Sequence, residues 1–130
     1  LALAPQTSDP ETLNNLGLAL AAQERWGESV TCYRDALETG RTPRALQVDL
    51  LNNLGCAYRD LGTLPEAASV FRKALALAPD EAEVANNLGC TQIALGDLEE
   101  ARLTLGQAAR LAPDDAAIQQ NLRRCLERGS

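Results

Sequence analysis

Asn52-Asn53-Leu54-Gly55 returns 34 residues later as Asn86-Asn87-Leu88-Gly89, and Asn14-Asn15-Leu16-Gly17 stands 38 residues ahead of it. A shortened copy, Asn121-Leu122, follows 34 residues after the third. A fixed period of this size marks a stack of equivalent helical units, not one globular core. Asparagine is a weak helix former that hydrogen-bonds locally, so helix propensity does not explain its recurrence.

Outward from these quartets, apolar residues recur at i, i+3, i+4 and i+7, the helical period. Seven helices can be placed. Ser8-Asp9-Pro10-Glu11 reads as a capping box with proline near the first turn, and Thr42-Pro43 opens the second unit similarly. Thr63-Leu64-Pro65-Glu66, Asp80-Glu81-Ala82-Glu83 and Asp97-Leu98-Glu99-Glu100 read as further boxes, and Asp114 as the start of the last helix. Gly62 and Gly96 fall where a helix end wants a left-handed residue, while Pro79 and Pro113 close the second helix of their units. Each unit is thus helix, tight turn, helix, proline. Neither helix buries its apolar stripe alone, so the units must stack.

This pattern resembles the tetratricopeptide repeat family. The Leu-Gly pair is Leu16-Gly17, Leu54-Gly55 and Leu88-Gly89, the glycine admitting a close second helix. Three residues on stand Leu20, Tyr58 and the discordant Gln92. The small residue early in the second helix is Ser29, Ala67 or Ala101, followed by the large Tyr33, Phe71 or Leu105 and then Ala36, Ala74 or Ala108. Pro79 and Pro113 close two units, whereas the first has Arg41 at that place. The resemblance covers roughly residues 9–128. It implies an all-α, right-handed solenoid forming a single domain over 1–130. Residues 1–7 are then expected to be the remnant of an upstream unit, the repeats to span 8–41, 42–79 and 80–113, and 114–128 to form a capping helix.

Departures from the period are informative. The long interval puts four extra residues before Leu50, about one helical turn, so the second unit's first helix is expected to begin a turn early. Leu1-Ala2-Leu3-Ala4-Pro5 repeats Leu75-Ala76-Leu77-Ala78-Pro79, as if an earlier unit ended there. The glycine slot becomes Arg123 in the last copy, which predicts a stop at a polar helix carrying Arg123, Arg124, Glu127 and Arg128. Trp26 takes the slot of Leu64 and Leu98 and reads as a core anchor, while Glu24 replaces glycine in the first turn.

Composition narrows the function. A net charge of −6 and a pI near 4.6 disfavour nucleic acid, whose phosphates need a basic face. The sequence has no 18-residue apolar run to insert in a membrane, and Leu1–Pro5 is too short for a secretion signal. The lack of methionine indicates a fragment or processed product, and the eleven-to-one excess of arginine over lysine suggests a GC-rich, bacterial genome. Cys56 and Cys90 share one slot in neighbouring units, and helices packed about 8–10 Å apart hold them beyond the roughly 7 Å Cα limit of a disulfide. With no histidine, zinc also lacks a ligand set. Cys32, Cys56, Cys90 and Cys125 therefore read as free thiols in a reducing, cytoplasmic setting.

No cofactor, metal or catalytic constellation emerges. The commonest general base is missing, no phosphate loop is present, and Lys73 is the single lysine. The chain is expected to bind a protein or peptide rather than to catalyse. In a tetratricopeptide stack the first helices line the concave face, and the resemblance places Asn15, Asn53, Asn87 and Asn121 there as one row. An amide both donates and accepts, so it can pair with an extended peptide's backbone without reading side chains. Units about 10 Å apart match about three extended residues at roughly 3.3 Å each. The null explanation is that these amides only satisfy local groups or solvent.

Asn14, Asn52 and Asn86 fall at the groove edge. Glu11, Asp49 and Glu83 lie one turn earlier and favour a neutral or basic segment, while Cys56 and Cys90 leave room for it. These acids weaken any likeness to chaperone-adaptor arrays that clamp acidic tails. Alternatives are the substrate-recruiting arm of a glycosyltransferase, since the repeats look similar to those of O-linked N-acetylglucosamine transferases, and a self-assembling homo-oligomer.

Overall fold

The computed structural model describes residues 9–129, which form seven α-helices. They are α1 (Pro10–Ala22), α2 (Trp26–Glu38), α3 (Arg44–Leu61), α4 (Leu64–Leu77), α5 (Ala82–Leu95), α6 (Leu98–Leu111) and α7 (Ala116–Arg128). Each helix packs on the next in sequence, giving the pairs α1–α2, α3–α4 and α5–α6 with α7 against α6. First helices of successive units also touch directly, α1 with α3, α3 with α5 and α5 with α7. That crowding places them on the inner side of an all-α solenoid. Leu1–Pro5 and Ser8 lie outside the described residues, and among those described no helix is long and apolar enough to cross a membrane.

The close packing within each unit comes from one glycine against one large side chain. A methyl group built on Gly17 would stand 2.4 Å from the Tyr33 ring, one on Gly55 2.5 Å from Phe71, and one on Gly89 2.4 Å from Leu105. No real Cβ is that close to a neighbour, so only glycine lets α1, α3 and α5 approach their partners. Tyr33, Phe71 and Leu105 are accordingly almost wholly buried, as are Ala36, Ala74 and Ala108 a turn later. Ser29 fits the small slot by donating its hydroxyl to the Gly17 carbonyl at 2.9 Å.

α3 has 18 residues, and its additional turn precedes Leu50, where the long repeat interval falls. All three inter-helix turns close alike. Arg25, Thr63 and Asp97 donate backbone N–H groups at 2.9 Å to the carbonyls of Leu20, Tyr58 and Gln92. The residue before each donor is left-handed: Gly62 at φ 87°, Gly96 at φ 85° and Glu24 at φ 61°. The first turn therefore keeps its geometry without glycine, against a steric cost of roughly 1 kcal/mol. Glu24→Gly is expected to raise the unfolding free energy by about 0.5–1 kcal/mol, since glycine relieves that strain but is freer when unfolded. Urea denaturation would read this, and a loss of stability would contradict it.

Several expected caps are absent. Asp9 caps α1, accepting from the Thr12 N–H at 3.1 Å and the Thr12 hydroxyl at 2.7 Å. Asp115, not Asp114, caps α7 through the N–H groups of Ala117 and Ile118. Thr63, Glu81 and Asp97 make no side-chain cap. The Thr63 hydroxyl instead donates to the Tyr58 carbonyl at the end of α3. The turns at Thr63 and Asp97 leave only two residues between helices, so the segment ending one helix also begins the next. Trp26 is corrected as well: as the first residue of α2 it is only half-buried, and the rings in the core belong to Tyr33 and Phe71. Arg123, Arg124, Glu127 and Arg128 are exposed on α7, which buries Ile118 and Cys125.

Candidate functional site

The asparagine doublets sit mid-helix on α1, α3 and α5, and Asn121 sits on α7. They are joined across units. Asn53 Nδ2 donates to Asn14 Oδ1, Asn87 Nδ2 to Asn52 Oδ1 and Asn121 Nδ2 to Asn86 Oδ1, each at 2.9 Å. The second asparagine of one unit thus bonds the first asparagine of the unit before it. Asn14, Asn52 and Asn86 therefore carry a structural role that the single repeat slot does not announce. Both members of the doublet tie neighbouring units together. Half-buried amides in such a bond satisfy each other where water access is reduced.

The ladder leaves chemistry unspent. A primary amide has two N–H groups and an acceptor oxygen. Each bond uses one N–H of the donor and the oxygen of the acceptor. Asn53 Oδ1 and Asn87 Oδ1 take no hydrogen bond from the described residues, whereas Asn121 Oδ1 accepts from Arg124 Nη1 at 3.1 Å. Asn15, on the first unit, is exposed and outside the ladder. The four members of the row are therefore not equivalent.

Glu11 and Glu83 are exposed in the first turns of α1 and α5, and Asp49 is exposed one turn further into the longer α3. Cys56 and Cys90 are half-buried free thiols, and Asn87 Nδ2 also approaches Cys56 Sγ at 3.8 Å. Burial pushes the Cys56 thiol up, Arg59 partly offsets this, and Asp60 and Glu83 add to it. Burial likewise pushes Cys90 up, with Arg59 and Arg124 pulling the other way. Both thiols stay protonated at neutral pH, which suits surface contacts and not nucleophilic chemistry. Among the described residues no group of three or more His, Cys, Asp or Glu is placed to hold a metal.

Two groups next to this row were missed from sequence. Arg59 lies one turn beyond Cys56 on α3, and Arg124 belongs to the column Leu18, Cys56, Cys90, Arg124. Their signal was the repeat slot itself, which the cysteines drew attention to without the flanking members. Leu18, the first of that column, is 45% exposed and gives it an apolar end.

Comparison with known proteins agrees with this fold. Family models described as tetratricopeptide repeat match residues 9–80 and 58–125. A peroxisomal targeting signal receptor of Kluyveromyces lactis is 34% identical over 71 residues, which are 55% of this chain and 12% of that protein's length. The first tetratricopeptide domain of Spaghetti (RPAP3), bound to an HSP90 peptide, superposes with a TM-score of 0.84 at 23% identity, covering 94% of each chain. The TPR2B domain of yeast Sti1, in a complex with pHsp70, gives 0.81 at 22% identity, covering 92% of this chain and 97% of that one. At these identities the structural likeness speaks for the fold.

Proposed function

Since this chain belongs to the tetratricopeptide repeat family, we propose that it is a protein-interaction scaffold that takes an extended peptide along the inner face of its first helices. The observation that supports this is the asparagine ladder with its leftover amide groups, repeated at the unit spacing. Oδ1 of Asn53 and Asn87 face no donor among the described residues and suit a peptide N–H, while the second N–H of Asn53 suits a peptide carbonyl, that of Asn87 being directed to Cys56 Sγ. Asn15 adds a complete amide at one end, and Arg124 holds Asn121 in place at the other. Asn52, Asn86, Glu11, Asp49, Glu83, Cys56 and Cys90 flank the ligand. The exposed acids favour a neutral or basic segment over the first units, and Arg59 and Arg124 relax that preference near Cys90. Protonated, unpaired thiols fit a reducing cytoplasm. The structural neighbours bound to an HSP90 peptide and to pHsp70 lend support to this reading.

The test uses dodecamer peptides selected from a random display library on the wild-type chain. Asn53→Ala with Asn87→Ala is expected to weaken their binding at least tenfold. Because this pair also removes two ladder bonds, Asn15→Ala is the cleaner companion: it should weaken binding several-fold with the melting temperature unchanged. Undiminished affinity in both variants, each still folded by circular dichroism, would sink the clamp.

A further inference from the structure

The offset that joins the ladder also places a thiol between two arginines. Asn87 of α5 occupies the slot of Asn53. On α3 it bonds Asn52, one position behind that slot, and approaches Cys56, three positions ahead of it. Moved on by three residues, the same offset sets Cys90 beside Gly55 and Arg59 of α3. Moved on by one unit, it sets Asn121 of α7 beside Asn86, which it bonds at 2.9 Å, and beside Cys90. Arg124, one turn further along α7, donates Nη1 to Asn121 Oδ1 at 3.1 Å. The charges of Arg59 and Arg124 both act on the Cys90 thiol, against the larger effect of its burial. Cys90 and Arg59 are half-buried and Arg124 is exposed. Among the described residues the Arg59 guanidinium makes no hydrogen bond or ion pair.

We propose that this seam is a carboxylate subsite: the peptide held by the asparagine row carries an aspartate or glutamate side chain where it crosses Cys90, seated between Arg59 and Arg124. This rests on the groove reading above and turns a relaxed charge preference into a requirement at one position. A half-buried guanidinium without an acceptor has lost water and gained nothing in exchange, and a carboxylate matches its planar fork. Arg124 is already braced through Asn121 to Asn86, and its bond there uses one of five N–H groups. The protonated thiol beneath is small and adds no competing charge. The seam before it lacks the pair, because the slot of Arg59 is Ala21 on α1 and the slot of Arg124 is Cys90 on α5. The inner helices also change sign toward this end. α1 and α5 each carry one glutamate and no cation, whereas α7 carries three arginines and one glutamate, Glu127. Glu127 on α7 and Asp60 beside Arg59 are the carboxylates that an incoming one must outcompete.

The probes are the dodecamers selected on the wild-type chain, made with amidated C-termini so that only side chains supply a carboxylate. They are expected to share one acidic position, and changing it to the matching amide should weaken binding at least fivefold by fluorescence anisotropy. On Arg59→Gln with Arg124→Gln the same peptide change should have less than a twofold effect. On Arg59→Glu with Arg124→Glu a lysine at that position should bind better than the acid. Arg72→Gln, exposed on α4, should leave the fivefold loss intact. Circular dichroism checks each fold, and Arg124→Gln alone, at an exposed position, gives the same comparison should the pair unfold. A loss that persists on the glutamine variants, or selected peptides with no acidic position in common, would overturn the subsite. The asparagine clamp would then still stand if Asn15→Ala weakens those peptides, whereas a library that yields no binders would defeat both.

Discussion

Phe71→Ala is expected to lower the unfolding free energy by about 3–5 kcal/mol, and Gly55→Ala by about 1–3 kcal/mol, yet the two together should cost clearly less than their sum. Phe71 has no exposed surface and anchors the central pair α3–α4. Its loss removes a large apolar burial and leaves a cavity, a sizeable part of the roughly 5–15 kcal/mol that holds a typical domain folded. Gly55→Ala fails for the opposite reason. The new methyl would sit 2.5–2.7 Å from three atoms of the Phe71 ring, which is hemmed in and cannot step aside. With Phe71 trimmed to alanine that clash disappears, and the methyl enters the space the ring left. Alanine also favours a helix interior by about 1 kcal/mol over glycine. Gly55→Ala should therefore turn neutral or stabilising in the Phe71→Ala background. Urea denaturation of all four chains gives the coupling energy directly. Strict additivity would show that Gly55 is glycine for some reason other than the ring opposite it.

That pairing was legible because it depends on two residues at a fixed separation within one unit. Gly17 with Tyr33, Gly55 with Phe71 and Gly89 with Leu105 follow from the repeat alone. So did the additional turn of α3, since four residues inserted before a helix core extend it without altering its register. Caps were less legible. A Thr or Asp three residues before a Glu marks a cap only if the chain is free to turn there, and in these tight turns the preceding helix already sets the backbone. Thr63 has a closer acceptor behind it than ahead. Glu24 shows the converse: nothing in a glutamate announces a left-handed backbone, and its conformation is imposed by the helices on either side.

The asparagines were half legible. Their recurrence singled them out, and the repeat placed them along one side. Their partners were hidden because the bond joins different members of the doublet in neighbouring units, at sequence separations of 39 for the first and 35 for the others. A reading confined to one slot at a time sees a column of identical residues and misses the diagonal. The consequence for function is specific. The ladder fixes the angle of each amide, so the groups left over are held in place before a ligand arrives, and less ordering is needed to bind one. Structural and binding roles are compatible here, and Asn15, outside the ladder, separates them.

Gln92→Met is expected to stabilise the chain by about 1–3 kcal/mol, an unusual sign for a change at a fully buried position. Gln92 is 1% exposed on α5, where the equivalent residues are Leu20 and Tyr58, and its Oε1 has no hydrogen-bond partner among the described residues. A buried acceptor without a donor keeps the cost of leaving water and gains nothing for it. Methionine has nearly the same length and shape and no such acceptor, so the surrounding side chains need not move far. A gain of this size should raise the melting temperature by about 3 °C per kcal/mol in a chain of intermediate length. Gln92→Glu supplies the contrasting arm, since a carboxylate there must be buried charged or protonated and should cost more than the amide does. If methionine destabilises instead, the amide has a donor that compensates it, and Gln92 is then part of a polar network within the core. Binding of the selected dodecamers to the methionine variant distinguishes those cases: unchanged affinity with higher stability marks Gln92 as a packing defect, whereas lower stability with weakened binding ties it to the groove.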